Sequence, residues 1–370
     1  MARAWAEVDL GAIHHNVAVL RQVAGTARLC VVVKANGYGH GATAVGRAAL
    51  EAGADWLAVA QVDEAVVLRD AGIEAPLLLL SEPRHDEIDD ALATGARLTL
   101  YSGASVAAVA KAVRAHRLPA VPVHLKVDTG MHRVGAAPHD LPPLARSIIE
   151  LAELHLEGVC THLPVADEPD NPFTAAQLAR FDAALAELRA GGVDTGIVHA
   201  ANSAGTLVHP DARYDLVRCG IATYGIPPAP ALDGLVDLRP ALTLVSEVSF
   251  VKPVAAGEAI SYGHRYRFTR DTTVATVPIG YADGVFRTLG LVGQEVLVKG
   301  ERRPIVGVVT MDQLMVDCGP DADVRPGDEV VLLGERGAER ITPDEWAAHL
   351  GTISYEVVCA IGARVARHYR

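Results

Sequence analysis

Eight short apolar runs, separated by segments with helical spacing, constrain this chain more than any other feature. They are residues 29–34 (LCVVVK), 56–60 (WLAVA), 76–80 (PLLLL), 97–101 (RLTLY), 120–127 (AVPVHLKV), 156–162 (LEGVCTH), 196–200 (GIVHA) and 214–221 (YDLVRCGI). These runs read as apolar on both faces, so both faces want burial. That pattern fits parallel strands covered by helices. Between the sixth and seventh runs, Leu178, Phe181, Leu185 and Leu188 recur at helical spacing. Thr174 is a suitable N-cap for that helix, and Gly191–Gly192 a suitable stop. Eight strand–helix alternations over roughly 230 residues predict an α/β fold of the (β/α)8 TIM-barrel type. An open doubly wound sheet is the rival. It would more often carry a glycine fingerprint after its first strand, and NGYGHG does not match G-x-G-x-x-G.

The texture changes after Pro227–Pro228. Residues 242–254, 259–268, 272–279, 295–298, 304–309, 314–316 and 329–333 read as strands joined by Gly, Asp and Pro turns. Only 343–350 reads as helix there. The expected organisation is a barrel over 9–234 and a mostly β C-terminal domain over 235–370, with residues 1–8 adding a strand to the second domain. At 370 residues with half of them apolar, the chain has enough core for both.

The 33 basic against 45 acidic residues leave a net charge of −12, which disfavours nucleic acid and anionic membrane as partners. Five scattered cysteines with no C-x-x-C pair argue against a disulfide scaffold or a metal cluster, so no metal site is expected. The opening MARAWAEVDLGAIHHN lacks an apolar signal core, and no run is long enough to span a bilayer. A cytoplasmic protein is expected.

Barrels of this type keep their active sites at the C-terminal ends of their strands. Lys34 ends the first run there. Partial burial would give it the free amine that Schiff-base chemistry needs, although a strand-end lysine can also simply snorkel to solvent. Lys126, Asp128 and Arg133 follow the fifth run, His162 ends the sixth, Asn202 and Ser203 follow the seventh, and Arg218 lies in the eighth. Each alone reads as an ordinary strand-end polar group. Together they put a lysine, two arginines and a histidine at one rim, and buried cations need anionic partners. A bound phosphate and carboxylate would meet that need, with Ser203 and the amides of Gly220 and Ile221 as phosphate donors. In the second domain SYGHRY, IGYADG and TMDQ are polar-aromatic turns. For Tyr281 ordinary packing at a turn competes evenly with a functional role.

Taken together, VVVKANGYGHG, KVDTGMHRVG, THLPVADE, HAANSAG, VRCGIATYG, SYGHRY, PIGYADG, TMDQ and SYEVVC resemble the alanine racemase family, enzymes of fold type III that use pyridoxal 5′-phosphate (PLP). The resemblance covers nearly the whole chain and implies the roles that follow. Lys34 holds PLP and serves as one catalytic base, and Tyr262 is the other. Tyr262 acts across a homodimer, because the second domain of one subunit completes the site of its partner. Arg218 faces the pyridine nitrogen, with His162 behind it. Tyr38, Ser203, Gly220, Ile221 and Tyr355 form the phosphate shell, and Asn202 is a further cofactor-binding residue. Arg133 lies near the phenolic oxygen of the cofactor and the substrate carboxylate. Lys126 matches a lysine that is often carbamylated and able to orient Arg133. The backbone N–H of Met311 receives the substrate carboxylate, Asp312 supports it, and Tyr281 gates the mouth of the site. The implied function is interconversion of L- and D-alanine, supplying D-alanine for peptidoglycan. The alternatives are a PLP-dependent racemase of another small amino acid such as serine, or a non-catalytic PLP-binding protein. Four positions depart from the family pattern. Gly37 stands where alanine is expected, His132 where glycine is common, Thr310 where cysteine is common, and Ala366 where proline is common.

Overall fold

A computed structural model describes residues 3–370. The chain divides into two compact units. One contains Ala12–Gly37 and Ala42–Arg239. The other contains the described residues up to Gly11, Tyr38–Gly41 and Pro240–Arg370.

In the first unit all eight apolar runs are strands: Arg28–Val32, Trp56–Val59, Leu77–Leu79, Arg97–Leu100, Val121–Lys126, Leu154–Cys160, Ile197–His199 and Leu216–Cys219. The first seven pair in parallel with their neighbours in sequence, and the eighth pairs in parallel with the first. The ladder is continuous everywhere except between the seventh and eighth strands. There Asp215 closes the seam, donating its N–H to Val198 O at 3.0 Å and accepting Val198 N–H on its carboxylate at 2.8 Å. Farther up, Arg218 N–H reaches Ala201 O at 2.9 Å. Leu57, Leu77, Leu78, Leu79 and Leu98 are fully buried. Each such side chain contributes about 1.5–3 kcal/mol of hydrophobic stabilisation.

The helix predicted over 174–188 spans Phe173–Ala190 and ends at Gly191 as expected. Thr174, however, is not its N-cap. The helix begins one residue earlier, after Pro172, whose fixed φ suits a helix start, and Asn171 Oδ1 takes the Phe173 N–H at 3.0 Å. Thr174 is instead buried within the first turn.

The second unit is built on strands. Ala4–Val8 lies between Leu242–Glu247, to which it is antiparallel, and Ala366–Tyr369, to which it is parallel. Glu329–Arg336, Glu295–Val298 and Glu301–Pro304 extend that sheet. A second sheet holds Phe250–Val254, Thr272–Val277 and Leu314–Gly319. The run expected as one strand over 242–254 is therefore two strands in different sheets. The chain turns at Val248 and Ser249, whose amides bond to Asp328 O and Thr276 O at 2.8 Å each. The run 304–309 is not a strand. Pairing stops at Pro304, and Ile305 makes a single bridge to Val316. A second helix, Ser354–Cys359, joins the expected Pro343–Leu350. Its SYEVVC sequence carries β-branched residues that disguise it, but Val357 and Val358 both reach full burial in helical form.

The observed division departs from the expected limits at three places. Residues 235–239 stay with the barrel, because the Asn16 amide bonds Arg239 N and O at 2.7 and 2.8 Å. Residues 9–11 go with the strand unit, where Asp9 N–H bonds Ala241 O at 2.8 Å. Tyr38–Gly41 also belongs to the strand unit. Arg367 Nε donates to Gly39 O at 3.0 Å, and a Cβ on Gly39 would meet Val358 O at 2.2 Å.

Candidate active site at the barrel rim

Lys34 leaves the first strand half-buried and enters a left-handed turn. Ala35, Asn36, Gly37 and Tyr38 all have positive φ, between 50° and 61°. For residues with a Cβ that conformation costs roughly 1–2 kcal/mol each, and such strain concentrates at functional sites. Bonds from the barrel hold the turn in place. Glu64 accepts Ala35 N–H at 2.5 Å on one oxygen, and on the other Ala60 and Gln61 N–H at 2.8 and 3.1 Å. Asn36 Oδ1 accepts Ala42 N–H at 3.1 Å. Gly37, one of the departures from the family pattern, takes its φ of 61° without the penalty.

Arg218 is buried, and all its hydrogen-bond partners are neutral. It donates to His199 Nδ1 at 2.5 Å, to Thr161 O and Ala200 O at 2.8 Å each, and to His162 Nδ1 at 3.2 Å. Among the described residues no carboxylate lies within ion-pair distance of it. Lys126, at the end of the fifth strand, is also buried. Burial pushes its ammonium below the ordinary lysine value, and Arg218 and Arg133 add to that push. His162 is held well below the usual histidine range, first by burial and then by Arg218, Lys126, Arg133 and Lys34. The strand ends therefore gather four cations around one neutral imidazole.

The arm carrying Arg133 is shaped by Asp128. One carboxylate oxygen accepts the N–H groups of Gly130, Met131 and His132 at 2.9, 2.9 and 3.1 Å. Burial opposes the charge on Asp128, but these bonds and His132 outweigh it and hold the carboxyl below its usual range. His132 adopts φ 55°, a conformation glycine takes without strain, and its Nδ1 lies 3.5 Å from Asp128. Gln177 and Arg180 of the neighbouring helix secure Thr129 at 3.2 and 2.9 Å.

Across the rim, Ser203 opens the short helix Ser203–Val208. Asn202 caps it, accepting Gly205 N–H at 2.9 Å and donating to Leu163 O at 3.1 Å. The Asn202 amide thus holds Ser203 in place. Ser203 Oγ accepts Gly220 N–H at 2.9 Å and Ala222 N–H at 3.4 Å, which leaves its own hydrogen for a ligand oxygen. Ile221 begins the 3-10 turn that follows Gly220.

The remaining candidates lie in the strand unit. Tyr38 and Tyr355 are ring neighbours, with centroids 6.2 Å apart. Tyr262 is 71% exposed on a turn between two short strands, and Ser261, at φ 62°, anchors that turn by donating to Val308 O at 2.6 Å. Tyr281, Met311 and Asp312 come together on paired loops, where Tyr281 N–H bonds Thr310 O at 3.0 Å and Ala282 N–H bonds Met311 O at 3.1 Å. Arg364 ties the two loops, lying 3.1 Å from Asp283 and 2.7 Å from Asp312. Sequence reasoning missed Glu64 and Arg364. Glu64 reads as an acid in a helix's first turn, and Arg364 as one of several C-terminal arginines. Only their partners mark them out.

Family models of the alanine racemase N-terminal domain and C-terminal domain match residues 8–228 and 241–369. An alanine racemase of Symbiobacterium thermophilum is 51% identical over 370 residues, covering 100% of this chain and 97% of that protein. The crystal structure of alanine racemase from D-cycloserine-producing Streptomyces lavendulae superposes with a TM-score of 0.94 at 40% identity, covering 100% of this chain and 97% of that one. The Bartonella henselae alanine racemase, whose structure carries covalently bound pyridoxal phosphate, gives 0.89 at 30% identity, with full coverage of both chains.

Proposed function

The chain belongs to the alanine racemase family, and from that premise we propose that it interconverts L- and D-alanine with PLP as cofactor. The observation that carries the cofactor reading is the unpaired buried charge of Arg218 beside the hydrogen Ser203 has left to give. Buried cations without acids call for an anionic ligand. The rim fits one with a phosphate at Ser203 and Ile221, next to Gly220, whose N–H Ser203 Oγ accepts at 2.9 Å, and an aromatic nitrogen acceptor at Arg218. PLP, when bound, spreads the negative charge of a deprotonated Cα into its ring, bringing that carbon within reach of ordinary bases.

Racemisation then needs two bases on opposite faces of the substrate. Lys34 holds the cofactor and, once displaced, takes or returns the Cα proton on one face. Tyr262 of a second subunit does so on the other. The exposure of Tyr262 on its own chain supports this sharing. Arg133 and the Met311 amide bind the substrate carboxylate, Asp312 supports that loop, and Tyr281 controls access. His162 stays neutral behind Arg218, while Tyr38 and Tyr355 complete the phosphate shell. The depressed Lys126 favours the neutral amine that adds carbon dioxide, which supports a carbamate able to orient Arg133. The buried Cys30, Cys160, Cys219 and Cys318, none of them in a disulfide, support a reducing cytoplasm, where the product D-alanine would serve peptidoglycan.

Chiral analysis of L-alanine incubated with PLP-loaded protein tests the reading. Equal amounts of both enantiomers are the expected end point, because mirror images have equal free energy. L-alanine left unchanged while PLP is bound would overturn it, and racemisation of serine in its place would move the substrate.

A further inference from the structure

Two of the buried histidines, His124 and His199, have no part in the proposed chemistry. His199 ends the seventh barrel strand and His124 lies in the fifth, and both are fully buried. They form a line with groups from three other strands. Arg218 Nη1 lies 2.5 Å from His199 Nδ1, His199 Nε2 lies 2.8 Å from His124 Nδ1, and His124 Nε2 lies 3.1 Å from Glu157 Oε2. Arg97 Nε closes the line 3.3 Å from the same Glu157 oxygen. The row thus crosses the barrel from the eighth strand to the fourth, with an arginine at each end.

The row can be hydrogen-bonded in only one direction. A guanidinium donates and has no lone pair to offer. At the other end the Glu157 carboxylate can only accept, so His124 carries its single hydrogen on Nε2 and leaves Nδ1 to accept. His199 therefore donates from Nε2 to His124 Nδ1 and presents Nδ1 to Arg218, so the two ends of the row demand the same direction. A second proton on either ring would occupy an Nδ1 that must accept and would break the row. Burial lowers the affinity of both rings for that proton, with Arg218 adding to the effect. Glu157 and Arg97 face His124, while Arg218, His124 and Lys126 face His199. Trp56 lies edge-on to His124 with centroids 5.7 Å apart, and a Cβ on Gly158 would stand 2.7 Å from His124 Nδ1.

We propose that Glu157 and His124 are positioning residues that fix the tautomer of His199 and so hold Arg218 as a directed donor toward a ring nitrogen at the rim. The proposal rests on the reading of Arg218 as the partner of the PLP pyridine nitrogen. A mobile Arg218 would let that nitrogen capture a proton, strengthening the electron sink and favouring transamination over racemisation.

The first test needs no cofactor. Nitrogen-15 NMR of PLP-free protein labelled at histidine, assigned by single substitutions, reads each tautomer directly. Both His124 and His199 should be neutral and protonated on Nε2 at pH 7.5. A ring protonated on Nδ1, or on both nitrogens, overturns the proposal. The second test compares Glu157→Gln, which keeps an acceptor oxygen, with Glu157→Leu, which removes it. Glu157→Gln should retain the His199 tautomer. Glu157→Leu should mix it, lower kcat about tenfold with KM for alanine unchanged, and raise the ratio of transamination to racemisation. A Leu variant that keeps both the tautomer and that ratio overturns the role. Should Glu157→Leu fail to fold, the wild-type tautomers and the Gln variant still decide it. Correct tautomers in a protein that binds no PLP would sink the cofactor reading alone, and PLP bound with the wrong tautomers would sink only this one.

Discussion

The left-handed turn after Lys34 sets the conformational demands on the residues that follow it. Gly37 is the one member without a Cβ, and a Cβ added there would come within 3.1 Å of Ala42 N. Gly37→Ala should therefore destabilise the barrel unit by about 1–2 kcal/mol. Chemical denaturation reads this, and an unchanged midpoint would show that the turn is not strained. Tyr262 makes a different demand, since in the proposed mechanism its phenol serves one face of the substrate only. Tyr262→Phe should slow exchange of the Cα hydrogen of L-alanine with solvent more than that of D-alanine, and Lys34→Ala should abolish both. Deuterium incorporation measured on each enantiomer checks this, and equal losses from Tyr262→Phe would remove the tyrosine from its assigned face.

At the scale of elements, the barrel depends on how its last gap is bridged. The seventh and eighth strands share no continuous ladder, and Asp215 supplies both bonds at Val198. Asp215→Ala removes the acceptor of a buried N–H, and a donor left that way costs about 1–3 kcal/mol. Hydrogen exchange at Val198 should rise more than at the matching residues of inner strands. Protection equal to wild type would mean that the seam closes without the carboxylate. The same elements show what a linear reading can see. The eight strands were legible because parallel strands under helices are apolar on both faces and alternate with helical segments. Ser354–Cys359 was not legible as a helix. Its β-branched valines favour a strand locally, and only the burial of Val357 and Val358 selects the helix.

For the whole molecule, burial sets the response to pH. His124, His162 and His199 all have depressed proton affinity in the folded state. An unfolded histidine titrates near about pH 6.5, so below that pH the unfolded chain binds protons the folded chain refuses. Stability should therefore rise with pH up to that point and level off above it. Each of the two fully buried rings contributes a slope of up to about 1.4 kcal/mol per pH unit. The buried thiols of Cys30, Cys160 and Cys219 are raised by burial, so stability should fall again in the alkaline range where unfolded thiols ionise. Urea midpoints of PLP-free protein between pH 5.5 and 10 trace this dome, and a midpoint flat from 8 down to 5.5 would contradict the neutral histidines. The proposed sharing of the site between two subunits predicts a further outcome at this scale. Mixing Lys34→Ala chains with Tyr262→Phe chains should restore part of the activity, because one of the two sites in a mixed dimer then carries both bases. No recovery in verified mixed dimers would place both bases on one chain.

Periodicity along the chain determined the barrel, since the run of strands and helices is a local property of side-chain hydrophobicity. It also determined which residues stand at the strand ends, and with them Lys34, Lys126, His162, Ser203 and Arg218 as candidates. Tertiary structure alone decided which of those groups meet and in what protonation state. His124, Glu157 and His199 sit on three different strands, and no spacing in the sequence brings them into line. Closing the barrel does so and excludes water from them. A hydrogen bond in that dry interior has one permitted direction, whereas along an isolated chain each imidazole is free to choose.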